Sequence, residues 1–209
     1  MSLVNRRPRP LKRDSTSLRD DRLFIIACDD TYAPAQYFGM FKVPRVRIHV
    51  VPTIDGTSSA RHVLDRLLSF EHEDYDERWL VLDTDHYDQG THLASFVAAL
   101  REANAKGIQV ALSKPCFELW LLLHLVEEDA VTEFVDANAV AVALSEKLGH
   151  YNKTRLVTED FKPHVDGACQ RAERLDKSIM GGDIPQGNTS RVYLLCNAIR
   201  NSLRYGVTE

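Results

Sequence analysis

Two short apolar runs, each stopping at an acidic residue, constrain the fold of this chain more than any other feature. Leu23-Phe24-Ile25-Ile26-Ala27-Cys28 ends at Asp29-Asp30, and Trp79-Leu80-Val81-Leu82 ends at Asp83-Thr84-Asp85. A run of that length without polar alternation reads as a strand buried on both faces, which is the habit of parallel sheets covered by helices. The sequence between them supplies the covering elements. Pro34 to Phe41 suits a short helix, and Arg45 to Val51 alternates Val46, Ile48 and Val50 with Arg45, Arg47 and His49, a half-buried strand ended by Pro52. Val63, Leu64, Leu67, Leu68 and Phe70 fall at helical spacing behind a cap at Thr57 or Ser58. Leu93, Phe96, Val97 and Leu100 mark another helix, closed by Gly107 before a fourth strand over Ile108 to Leu112. This alternation predicts a mostly parallel α/β sheet with crossover helices.

Residues 115–203 show no comparable strand, and their periodicity predicts helices over 115–125, 137–149, 163–180 and 190–203. The expected organisation is a basic tail over 1–21, an α/β core over 22–114 and a mostly helical part over 115–209 packed on that core. In the tail, Arg6, Arg7, Arg9, Lys12 and Arg13 lie among prolines. They read either as an electrostatic arm for nucleic acid or as a solvated terminus.

Composition narrows the function classes. The 209 residues carry 26 Lys+Arg against 30 Asp+Glu, a net charge of −4, so overall charge offers no argument for a nucleic-acid partner. A hydrophobic fraction of 44% excludes disorder over the whole length. No apolar run approaches the roughly 20 residues of a membrane span, and the one from Leu119 to Leu123 is bounded by Glu118 and His124. The basic N-terminus has no apolar segment of the secretory kind. Cys28, Cys116, Cys169 and Cys196 are far apart without C-x-x-C spacing, which predicts free thiols, no zinc site and a cytoplasmic location.

The candidate chemistry lies in three carboxylates. Ligands of open α/β sheets bind outside the carboxyl ends of the strands. Asp29 closes the first strand, Asp83 the third, and Asp85 follows two residues later, so in an extended segment Asp83 and Asp85 face the same way. Acids at strand ends also serve as turn formers and helix caps. A converging set without a basic partner repels itself, however, and hard oxygen ligands of this kind suit Mg²⁺ or Mn²⁺. His86, Asp88 and His92 lie close behind and would extend such a site. Glu118, inside an apolar helix, needs a partner, for which Lys114 at i−4 is one choice. His124 falls on a different helical face from Glu118. Tyr151 and Lys153, after Gly149, are placed to reach a phosphate, and Lys114 and Lys153 are the candidate nucleic-acid contacts.

At these residues the chain resembles a known family. Asp29-Asp30 followed by Tyr37-Phe38, then Asp83-x-Asp85, then Ser113-Lys114-Pro115-Cys116-Phe117-Glu118-Leu119-Trp120-Leu121-Leu122-Leu123-His124, is similar to the RloB family. The resemblance continues through Tyr151-x-Lys153 and Asn188-Thr189-Ser190-x-Val192, and so runs from about residue 23 to 203. It implies a Toprim-like (Rossmannoid) fold and a place in restriction and phage-defence loci, often beside an AAA-type ATPase. It also implies a nuclease in which Asp29, Asp83 and Asp85 hold Mg²⁺ or Mn²⁺ for hydrolysis of a phosphodiester in DNA or RNA. The family usually has Glu-Gly after the first strand and a second Glu near the Tyr-Phe pair, where this chain has Asp29-Asp30 and Pro34. One acid fewer, and a shorter one, implies weak or single-metal activity that depends on a partner.

Two other functions compete. One is a degenerate Toprim-like module that binds an ATPase or nucleic acid without cutting. The other is a receiver-like phospho-acceptor domain, echoed by Asp29-Asp30, Asp83 and Ser113-Lys114-Pro115. In receivers, though, the Ser/Thr and the Lys-Pro come from two different strands.

Overall fold

Phe24, Ile25, Ile26 and Ala27 are wholly buried in the first strand, β1 (Arg22–Cys28), because it runs between two parallel neighbours and is covered on both faces. The computed structural model describes residues 21–44, 46–53, 57–85, 87, 92–179 and 182–202. The expected basic tail, apart from Asp21, lies outside the described residues, as do His86 and Asp88.

The other predicted strands are β2 (Val46–Val51), β3 (Glu77–Asp83) and β4 (Gln109–Lys114). The sheet has five strands in the order β2-β1-β3-β4-β5, in which the first four run parallel. The fifth, β5 (Thr189–Ser190), was not anticipated. It is only two residues long and pairs antiparallel with the end of β4, Ser113 opposite Ser190 and Lys114 opposite Thr189. A pairing that short leaves no hydrophobic period to read in the sequence.

The alternation of side chains in β1 divides the core in two. Leu23, Ile25 and Ala27 pack against α2 (Ala60–Leu68) and α3 (His92–Ala105), with Val63, Leu64, Leu67, Phe96 and Leu100 buried. Phe24, Ile26 and Cys28 face the other way. They meet α1 (Ala33–Gly39) together with α4 (Phe117–Leu122), α5 (Ala137–Leu148), α6 (Val165–Ser178) and α7 (Val192–Asn201). The helical second half, together with α1, therefore covers that face of the sheet.

Local chemistry sets the helix ends. The cap of α2 is Ser59 rather than Thr57 or Ser58: its backbone is extended and its hydroxyl accepts the His62 amide at 3.4 Å. Asp136 caps α5 by accepting the Ala139 amide at 2.8 Å, and Gly149, at φ 72°, ends it. Gly107, at φ 69°, follows α3 as expected. The helix expected over 115–125 is shorter: Cys116 is extended, so it starts at Phe117, and it ends at Leu122. Asn188 ties the segment before β5 to α4's side of the sheet, donating to the carbonyls of Val131, Thr132 and Phe134 at 3.0, 3.3 and 2.7 Å. Among the described residues no helix is long and apolar enough to cross a membrane.

All six residues of α4 are buried, and Trp120 is the largest wholly buried side chain. Replacing Trp120 with Ala is expected to cost about 3–5 kcal/mol in a denaturant titration. A loss below about 1 kcal/mol would mean that this face of α4 is not packed.

Candidate functional site

Where β1 and β3 end, their main-chain amides run out of ladder partners, and Asp29 supplies one. Its Oδ2 accepts the Asp83 amide at 2.7 Å and its Oδ1 accepts the Asp30 amide at 2.8 Å. Asp29 and Asp83 are thus locked side by side, each 8% exposed. Asp83 Oδ1 is buried and meets no hydrogen-bond donor. Burial raises the Asp29 carboxyl to about 7, against the pull of the two amides and with the charge of Asp30 adding to the rise. The Asp83 carboxyl is raised well above the ordinary range, first by burial and then by Asp29, Glu118 and Asp85, against the pull of the Phe117 amide.

Asp85 does not continue the strand. The chain bends at Thr84, whose amide reaches the carbonyls of Ser113 and Pro115 at 3.0 and 3.1 Å, and Asp85 donates its own amide to Pro115 at 3.1 Å. Tyr87 then closes the turn onto Thr84. The extended geometry that would aim Asp83 and Asp85 alike therefore stops at Asp83, and Asp85 is half-buried beside it. Among the described residues no three His, Cys, Asp or Glu side chains are grouped so as to hold a metal ion.

The helical half adds what the sequence left scattered. Glu118, 5% exposed, sits in the first turn of α4 and is close enough to Asp83 to raise its carboxyl. Its partners are remote in sequence: Tyr151 donates its hydroxyl to Oε1 at 2.9 Å, and Lys153 Nζ lies 3.5 Å from the same oxygen. Lys153 also pairs with Asp30 Oδ2 at 3.0 Å. Burial lowers the Lys153 ammonium, but Glu118 and Asp30 outweigh it and hold the ammonium above its ordinary range. Burial, then Glu118, raises the Tyr151 phenol. The segment after Gly149 is fastened by Gln36 of α1, which donates to the Lys153 carbonyl at 3.1 Å and accepts the Leu156 amide at 2.8 Å. The sequence signals for this second layer were an acid in an otherwise apolar helix and the Tyr151-x-Lys153 pair after Gly149, with nothing to say that they meet.

Together these groups border a cavity of about 330 Å³ lined by Asp29, Asp30, Tyr32, Ser58, Asp83 and Lys153. It opens at the carboxyl edge of the parallel strands, where α/β sheets bind ligands. Lys114, at the end of β4, stands on that edge too. His92 opens α3. His124 belongs elsewhere: it bonds Tyr37 at 3.0 Å and the Trp120 carbonyl at 2.9 Å, and burial pushes its imidazole down to about 3.

The donor set is hard carboxylate oxygen, and one buried oxygen, Asp83 Oδ1, has no proton donor. That chemistry fits a single divalent cation of the Mg²⁺ or Mn²⁺ kind better than a softer metal.

The family model for RloB-like protein matches residues 24–199, most of the chain. No curated protein and no solved structure matches it.

The buried acids make stability depend on pH. A carboxyl raised on folding favours the folded state below the ordinary carboxylate range and loses that contribution as pH climbs through its folded value. For Asp29 that window runs from 3.8 to about 7. Asp83→Asn removes a charge that nothing local bonds at Oδ1. In chelator at pH 8 its Tm is expected to exceed the wild type's, by about 2–4 °C for each kcal/mol of relieved repulsion. The gain should shrink toward pH 4. A lower Tm for the variant at pH 8 would mean that the Asp83 charge is already compensated.

Proposed function

The chain belongs to the RloB-like family, and from that premise we propose that it is a Toprim-like, divalent-metal-dependent nuclease hydrolysing phosphodiesters in DNA or RNA as part of a prokaryotic phage-defence system. The observation that carries this reading is the Asp83 carboxylate, buried at the carboxyl edge of the sheet with an oxygen that meets no donor and with acids around it. Such a group calls for a cation.

Mg²⁺ or Mn²⁺, held by Asp83 with Asp85 and Asp29 nearby, would supply Lewis-acid polarisation of the scissile phosphate. The protein's own residues do the rest. Asp29 orients the end of β3 through the Asp83 amide. With its carboxyl near 7, an Asp29 oxygen can take a proton from water at neutral pH, as a general base must. Lys114 and Lys153, both at the cavity edge of the sheet, provide positive charge for a nucleic-acid backbone. An AAA-type ATPase is the expected partner that switches the activity on.

A non-cutting module is the second reading, and one observation favours it: both Asp29 oxygens already serve main-chain amides. A receiver-like role finds less support, because Ser113 is wholly buried and bonded to Ser190 at 3.0 Å, away from any phosphate.

The test is cleavage of single- and double-stranded DNA and RNA in Mg²⁺ and in Mn²⁺, with and without the neighbouring ATPase. Cleavage is expected to be stronger in Mn²⁺. Asp83→Asn should abolish it with the fold intact, and Asp29→Asn should lower kcat by about 10²–10⁴-fold, the usual share of a general base. If nothing is cut under any of these conditions, the non-cutting module is the better reading.

A further inference from the structure

We propose that Lys153 is the built-in counter-cation of the acid cluster and competes with a divalent ion for it, so that the site carries its own restraint on metal occupancy. The inference rests on the metal reading above and adds a regulatory role for a residue of the same site.

The cluster is out of charge balance in a specific way. Asp29, Asp30, Asp83, Asp85 and Glu118 gather at the carboxyl edge of the sheet, and Lys153 sets an ammonium against two of them. It reaches two carboxylates whose side chains are only 3% and 6% exposed, at 3.0 Å from Asp30 and 3.5 Å from Glu118. It does not bond Asp83, a residue that lines the same cavity, is more than nine-tenths buried and has an Oδ1 without a donor. One monovalent head therefore neutralises the outer acids and leaves the inner one wanting a cation.

The side chain is built to leave. It is 45% exposed, so the stem lies along the surface and only the head is drawn in. Its backbone is held independently of the ammonium: Gln36 binds the Lys153 carbonyl and the Leu156 amide, and Asn152 Oδ1 accepts the Thr154 amide at 2.9 Å and hydroxyl at 2.8 Å. Glu118 keeps the Tyr151 hydroxyl at 2.9 Å when the ammonium withdraws. A divalent ion entering the cavity of about 330 Å³ has room for its waters but meets a like charge at the wall. Ion and ammonium thus oppose each other, and whatever draws Lys153 outward, such as a phosphate, favours metal entry by the same factor.

The experiment is calorimetric titration of Mn²⁺ into the full-length protein and its Lys153→Met, Lys153→Arg and Lys177→Met variants, paired with thermal melts in chelator. Lys177, paired with Glu173 far along α6, controls for loss of one positive charge. Lys153→Met is expected to bind Mn²⁺ about tenfold tighter than wild type, near the low end of ordinary coupling between sites. It should melt lower in chelator and gain more from Mn²⁺, while Lys153→Arg and Lys177→Met stay near wild type. Equal or weaker binding by Lys153→Met overturns the inference while leaving the metal site standing. If neither wild type nor Lys153→Met binds Mn²⁺, the metal reading falls and takes the inference with it. Tighter binding by Lys153→Met in a protein that cuts nothing supports the inference and removes only the nuclease reading.

Discussion

The hydrogen bond from the Asp83 amide to the Asp29 carboxylate holds this molecule's site together. At the carboxyl edge of a parallel sheet the ladder ends, and an amide there is left without a carbonyl. Asp29 fills that place with its side chain at 2.7 Å, while its own amide reaches back to Val81 at 3.4 Å. A charged acceptor makes such a bond roughly twice as strong as a neutral one. The same bond forces two carboxylates into contact in a dry place. Repulsion, raised carboxyl affinities for protons and the demand for a cation all follow from that placement.

The helical half answers this demand from the far side of the chain. α4 buries all six of its residues, and among them Glu118 brings one more carboxylate toward Asp83. Its place in the first turn of α4 is the favourable end for an acid. Tyr151 and Lys153 then satisfy it from a segment that begins at the left-handed Gly149 and is fastened to α1 by Gln36. Sheet, α1, α4 and the segment after α5 thus meet at one point. The site is complete only when both halves have folded together.

This division explains what was legible in the sequence. Buried parallel strands write themselves as unbroken apolar runs, so β1 and β3 and the acids ending them were readable, and the mixed pattern of β2 followed from its place at the sheet edge. The pairing of Asp29 with the Asp83 amide was not, since a carboxylate at a strand end has several local uses. The bend between Asp83 and Asp85 was not legible either, because the Thr84 amide turns onto Ser113 and Pro115, contacts that no local spacing encodes. Asp30, Glu118, Tyr151 and Lys153 were each noticeable alone. Their meeting depends on a separation of 33 residues between Glu118 and Tyr151 and a longer one back to Asp30, closed only by tertiary packing.

The three departures from the pattern that the resemblance to RloB implies acquire a common physical sense in this arrangement. An aspartate at position 29 is one methylene shorter than the family's glutamate, and that short reach keeps its carboxylate against the strand ends, bonded to the Asp83 amide. Where the family has glycine, Asp30 fixes the Tyr32 amide at 2.8 Å and draws in Lys153. Where it has a second glutamate, Pro34 is buried in the first turn of α1, a position suited to proline because no helical amide is needed there. An acid expected from the resemblance is absent at Pro34, while Asp30 adds a carboxylate that pairs with Lys153. Asp29 is thereby held at the Asp83 amide, and Asp83 is left with an unbonded buried oxygen beside it.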